Sequence, residues 1–117
     1  MTTAASYVPD RGDVVRLEFT PQAGHEQAGT RPALVLSPAS YNSKTQLMLC
    51  CPVTNQPKNY PYEVAIVTGP SSQAVTGVAL ADQVRCVDWV ARKAVKIGFV
   101  TQQCSQDISA KAKTLLP

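Results

Sequence analysis

The sequence predicts a mainly β fold of the α+β class: a small curled antiparallel sheet or SH3-like barrel, with short helices and a C-terminal amphipathic helix. Three observations predict it. Short apolar runs with a period of two recur along the chain, separated by loops rich in Pro, Gly and Asn. After Thr101 the period changes to that of a helix. The chain has 117 residues, of which 44% are hydrophobic and 16% charged, a globular composition able to bury one core.

The elements follow in order. Residues 1–6 are small and polar and read as a frayed, flexible N-terminus, leaving 7–117 as a single domain. In "RGDVVRLEF" (Arg11–Phe19), Val15, Leu17 and Phe19 alternate with Arg16 and Glu18, which predicts a half-buried strand. "TPQAGHEQAGTRP" reads as a long loop and "ALVLS" as the strand after it. "PASYNSKT" predicts a turn or short helical turn, and "QLMLCCPV" a central strand apolar throughout. "TNQPKNYPY" is a second polar loop, "EVAIV" a strand and "TGPSSQAVTG" a third loop. "VALADQVRCVDW" reads as a strand interrupted at Asp82–Gln83, whereas "VARKAVKIGFV" is ambiguous. In the last segment Cys104, Ile108, Ala112 and Leu115 share one helical face, with Thr101 placed to cap the N-terminus.

The formal net charge of +3 leans weakly towards an anionic partner. The excess is local: Arg92, Lys93, Lys96, Lys111 and Lys113 follow Asp88, opposed by Asp107. Cys50, Cys51, Cys86 and Cys104 have no metal-ligand spacing and read as small packing residues in a reducing compartment. No cofactor or metal is expected. The N-terminus lacks the basic and apolar regions of a signal peptide, and no apolar run is long enough to span a membrane. The expectation is a soluble, cytoplasmic protein.

Several polar residues have chemical potential. Pro32 biases Arg31 towards extended backbone, and a guanidinium held there could clamp a phosphate. His25 and Glu26 sit upstream in the same loop, and either could act as acid or base. Thr54 follows the central strand; its hydroxyl could donate to an oxyanion, or simply serve a turn. Asp82 interrupts an apolar strand and needs solvent or a partner. Tyr60, Tyr62 and Trp89 could stack on bases or anchor a core.

Taken together, "YVPDRGDVVRLEFTPQAGHEQAGTRPALVLSPASYN", "LCCPVTNQPKNYPYEV" and "GVALADQVRCVDWVARKA" resemble the MazF/PemK family of toxin–antitoxin ribonucleases over nearly the whole chain from Tyr7. The runs Glu26–Pro32 and Gly77–Val84 resemble the MazF branch more than the Kid branch. The resemblance implies a homodimer that cleaves single-stranded RNA without a metal. It also implies restraint by a MazE-like antitoxin with an acidic, unstructured tail. It assigns catalysis to Arg31 and Thr54 and implicates Glu26. The Kid branch assigns the work to a His, an Arg and an Asp; His25 and Asp82 match two of these, but Leu80 stands at the third, which favours the Arg31–Thr54 pair.

RNA carries its own nucleophile, the 2′-OH, so such a site must hold the chain in line, neutralise developing charge and move two protons. Arg31 is expected to clamp the transition state and could also serve as the acid, with Thr54 donating to the oxyanion and Glu26 or His25 as base. Arginine is effectively always protonated and makes a poor base. Asn55, Gln56, Asp82, Gln83 and Arg85 are the candidate RNA contacts, and Arg92, Lys93 and Lys96 the candidate antitoxin contacts. No membrane partner is expected, and DNA only through an antitoxin complex. The competing readings are a gyrase poison of the CcdB type, which shares the fold, and an inactive antitoxin-binding module.

Overall fold

Apolar side chains on both parities of the first three strands mean that those strands are covered on both faces. The computed structural model describes residues 7–19 and 29–117. The expected frayed residues 1–6, and the candidate base residues His25 and Glu26, lie outside the described residues. The elements run β1 (Asp13–Phe19), β2 (Gly29–Val35), α1 (Ala39–Thr45), β3 (Leu47–Thr54), β4 (Glu63–Ala65), β5 (Val78–Leu80), β6 (Arg85–Asp88), β7 (Val95–Phe99) and α2 (Gln102–Lys113). The seven strands form one antiparallel sheet in the order β4-β5-β3-β2-β1-β7, with β6 paired to β3 beside β5.

Val14, Leu34, Cys51 and Val53 point to one face, where α2 supplies Cys104 and Ile108. Val15, Leu17, Ala33, Val35, Met48 and Cys50 point to the other, where the curled sheet closes on itself through Val87 of β6, with Tyr7, Trp89 and Ala94 at the margin. Alternation along a pleated strand forces this division. Thr101 caps α2 as the sequence predicts, accepting the Cys104 N–H at 3.1 Å. The helix stops at Lys113, so Leu115, expected on its apolar face, lies past its end and is exposed.

Several boundaries differ from the sequence reading. β2 begins at Gly29 rather than Ala33, so Arg31 and Pro32 are strand residues, paired with Leu17 and Arg16 of β1. β4 keeps only the first three residues of "EVAIV", because the chain then turns to bridge Thr68 to Val100. The ambiguous segment is a turn followed by β7, and Lys93 in that turn has φ +53°. Cys50, Cys51 and Cys104 are packing residues as expected, but Cys86 is exposed on β6; all four are free thiols. Burial pushes the Cys50 thiol up to about 11 and the Cys51 thiol up to about 12, so both stay protonated near neutral pH.

One buried amide ties four segments together. Asn42 of α1 is fully buried, and its Nδ2 donates to the carbonyls of Pro9 (2.8 Å) and Ser37 (3.0 Å). Its Oδ1 accepts from Ser37 Oγ at 2.6 Å, and Ser37 Oγ accepts the Leu49 N–H of β3. The Asn42 carbonyl takes the Trp89 indole N–H at 2.9 Å. Asn42→Ala would strand the Pro9 and Ser37 carbonyls in a dry interior. We expect a loss of roughly 2–4 kcal/mol, measured by urea unfolding, since each unpaired buried group costs about 1–3 kcal/mol. A loss below about 1 kcal/mol would contradict this role.

Candidate active site

The pairing of β2 with β3 places the two residues singled out for catalysis. Ala33, Leu34 and Val35 face Pro52, Cys51 and Cys50, and beyond them Leu36 N–H bonds the Leu49 carbonyl at 2.8 Å. Continued two residues the other way, this register sets Arg31 across from Thr54. The ladder ends before them for a chemical reason. With Leu34 and Leu36 in the hydrogen-bonded positions, the backbone of Pro32 points at β3, and it has no N–H to give. Opposed residues share a face, so Arg31 and Thr54 lie on the face of Ala33 and Cys50. Arg31 is exposed and Thr54 half-buried.

On the other edge of β3 the partner changes. Cys50 pairs with Arg85 of β6, and Val53 with Ala79 of β5. Two residues of β3, Cys51 and Pro52, thus lie opposite the five residues 80–84 of the segment that joins β5 to β6, which must bulge outward. Pro52 lies at this break, where an N–H is not needed. The bulge carries Asp82 and Gln83, both exposed. They interrupt the strand as the sequence predicts, but as a connection between two short strands rather than as residues inside one.

Past the break, the face bearing Thr54 is open. A groove of about 430 Å³ lies there, lined by Thr54, Gln56, Lys58, Tyr60, Glu63, Leu80 and Gln83. Register explains its floor: Thr54 faces Val78 and Leu80 faces Glu63, whereas Val53, Ala79 and Val64 point the other way into the core. The start of β5 can approach the end of β3 because residue 77 is glycine. Its φ is +120°, and a Cβ there would stand 2.6 Å from the Thr54 carbonyl oxygen.

Thr54 Oγ1 accepts the Gln56 N–H at 3.1 Å, an ST-turn that leaves its O–H able to donate. Asn55 Oδ1 accepts from the Thr76 hydroxyl at 3.0 Å, so the Asn55 carbonyl is engaged. Across the groove the Tyr60 hydroxyl donates to Asp82 Oδ1 at 2.8 Å. This bond favours the neutral phenol and raises the Tyr60 pKa. Arg85, opposite Cys50, is exposed. Gln56 and Gln83 line the groove with their amides.

The candidate antitoxin residues sit elsewhere, around the turn into β7. Arg92 Nη1 reaches the Glu18 carbonyl at 3.4 Å, and Lys93 Nζ lies 3.9 Å from the Glu18 carboxylate. Lys96 is 3.3 Å from the buried Asp13 carboxylate and stacks over the Phe99 ring. Asp13 also accepts from the Tyr7 hydroxyl at 2.7 Å, so Lys96 helps pin the N-terminal segment. Sequence reasoning missed Lys58 and Glu63, which no short motif marks. Among the described residues no three His, Cys, Asp or Glu side chains gather as metal ligands would, and no helix is long and apolar enough to cross a membrane.

The PemK-like, MazF-like toxin family of type II toxin–antitoxin systems matches residues 10–116. The chain belongs to this family. It is 51% identical over 110 residues to the endoribonuclease toxin MazF of Escherichia coli K12, covering 94% of this chain and 96% of that protein. It is 31% identical to the E. coli endoribonuclease PemK, over 92% of this chain and 81% of that one. Among solved structures, MazF in a MazE–MazF crystal structure from Deinococcus radiodurans superposes with a TM-score of 0.83 at 50% identity, covering 95% of this chain and 97% of that one. The open seven-stranded sheet with its C-terminal helix is therefore the fold of the family.

Replacing the Asp82 carboxylate removes the largest cause of the raised Tyr60 pKa. Below about pH 10 the phenol is neutral and the bond intact; it is lost as pH rises through the raised value. Ultraviolet titration of Asp82→Asn should show one tyrosine ionising at lower pH than in the wild type. Superimposable titration curves would refute the link.

Proposed function

We propose that this chain is the RNA-cleaving toxin of a type II toxin–antitoxin pair, a sequence-selective endoribonuclease that works without a metal ion. The observation that carries the reading is the β2–β3 pairing, whose register, extended two residues past its last pair, sets Arg31 across from Thr54, a residue that lines a polar groove. The naming of its relatives as endoribonucleases supports it.

The chemistry follows from the substrate. A ribose 2′-oxygen attacks the adjacent phosphorus, forming the P–O2′ bond and losing its proton to a base. The P–O5′ bond breaks, and the leaving 5′-oxygen gains a proton from the Arg31 guanidinium or from water. The products are a 2′,3′-cyclic phosphate and a 5′-hydroxyl. The Arg31 guanidinium, a fixed cation with a planar donor fork, meets the charge that grows on the non-bridging oxygens. The Thr54 hydroxyl donates a second hydrogen bond to them. Glu26 accepts the 2′-proton, with His25 the other candidate base. Asn55, Gln56, Asp82, Gln83 and Arg85 select and hold the single strand. No step requires a Lewis acid.

An acidic antitoxin segment would bind the cationic turn of Arg92, Lys93 and Lys96, competing with Glu18 and Asp13 for those cations. The antitoxin reading draws on the MazE–MazF complexes of D. radiodurans. The toxin itself acts as an isologous homodimer in the cytoplasm.

Purified protein should cut single-stranded RNA in EDTA and leave cyclic phosphate ends. Arg31→Ala and Thr54→Ala should each lower the rate by about 100- to 1,000-fold while leaving the circular dichroism spectrum unchanged. Undiminished cleavage by either variant would overturn its assignment. RNA untouched by the wild type would overturn the enzyme reading in favour of a binding toxin.

A further inference from the structure

Both oxygens of the Glu63 carboxylate are occupied by backbone amides of the loop that walls the groove. Oε2 accepts the Lys58 N–H at 2.7 Å, and Oε1 the Asn59 N–H at 2.9 Å. Glu63 N–H donates to the Tyr60 carbonyl at 3.1 Å, so one residue of β4 holds three consecutive residues of the loop. Asn59 sits at φ +60°, a left-handed conformation that an Asn tolerates and that these bonds retain. Lys58 and Tyr60, on either side of it, both line the groove, and Tyr60 reaches across to Asp82. Arg31, in contrast, is placed by the pairing of β2 with β1, and Thr54 by the pairing of β3 with β5, not by the Glu63 carboxylate.

We propose that Glu63 is a positioning residue for RNA binding, presetting through its carboxylate the loop wall beside Thr54. The proposal rests on the RNA-cleaving reading above. Its physical basis is preorganisation. Amide bonds to a carboxylate are charge-assisted and stronger than neutral ones. A loop already in its binding shape loses little freedom when a strand enters. Without the carboxylate the competent shape is one of several, and apparent affinity falls by the fraction of molecules that hold it. Turnover of bound RNA, set by residues outside this loop, is spared.

The test is steady-state cleavage of one single-stranded RNA oligonucleotide that the wild type cuts, with thermal unfolding of each variant recorded alongside. Glu63→Ala should raise KM roughly tenfold or more, with kcat within about threefold of wild type. Glu63→Gln keeps the shape and one acceptor oxygen, so it should hold one amide and give an intermediate KM. Unchanged KM in the folded variants, or a loss confined to kcat, would overturn the role. If Glu63→Ala does not fold, Glu63→Gln decides alone, and a wild-type KM overturns the proposal. A wild type that cuts no RNA refutes the enzyme reading and this role with it, whereas an active wild type with unaltered variants refutes only the role of Glu63.

Discussion

The pairing of β3 governs the rest of the molecule. It is the strand on which both faces of the core meet, with Cys51 and Val53 on one side and Met48 and Cys50 on the other. A slip of one residue would exchange those sets and bury the wrong side chains, so its register against β2 is strongly held. That register in turn fixes which residue of β2 stands opposite Thr54. Two prolines mark where the pairing stops: Pro32 ends the β2 ladder, and Pro52 sits where the other edge changes partner from β6 to β5. Both breaks occur at the same end of the strand. The candidate site is the place where the β2–β3 ladder runs out.

The two faces at that end differ in what covers them. Towards α2, Val53, Ala79 and Val64 continue the core without interruption. On the opposite side β6 flanks Met48 with Val87 and Cys50 with Arg85 but does not extend to Thr54, and the groove there is lined mostly by polar side chains. A strand buried on both faces for most of its length therefore ends with one face open. Polar groups there are either paired within the protein, as Tyr60 is with Asp82, or face solvent. The cations near β7 are part of the scaffold as well as the surface. Lys96 neutralises a carboxylate that is nearly buried, whereas the Lys93–Glu18 contact, with both side chains exposed, contributes little to stability.

Much of this was legible in the sequence, and the rest was hidden for identifiable reasons. Alternation located β1, a continuous apolar run β3, and helical spacing α2, with Thr101 marking the helix start. The sequence reading placed the start of β2 four residues late, since residues 29–32 read as the end of a loop and their pairing with β1 is not visible in a local window. It ran α2 to Leu115, since an apolar residue at the right spacing gives no sign that the helix has already ended. Arg31, Thr54, Asp82 and Gln83 stood out singly from their local sequence, and a family resemblance joined them into one site. Their proximity depends on a strand register that no local window contains. Glu63 left no signal at all: its carboxylate matters through backbone amides four and five residues upstream, which have no sequence identity to read.

The claim that Arg31 and Thr54 act on the same phosphate because one register sets them opposite each other is tested most directly by a double-mutant cycle. Cleavage rates of the wild type, Arg31→Ala, Thr54→Ala and the double variant would be compared on one RNA. If the two residues stabilise one transition state together, the double variant should be scarcely slower than the worse single variant, because groups that act as a unit are strongly non-additive. If the double variant instead loses the full product of the two single effects, the residues act independently and the shared site is refuted.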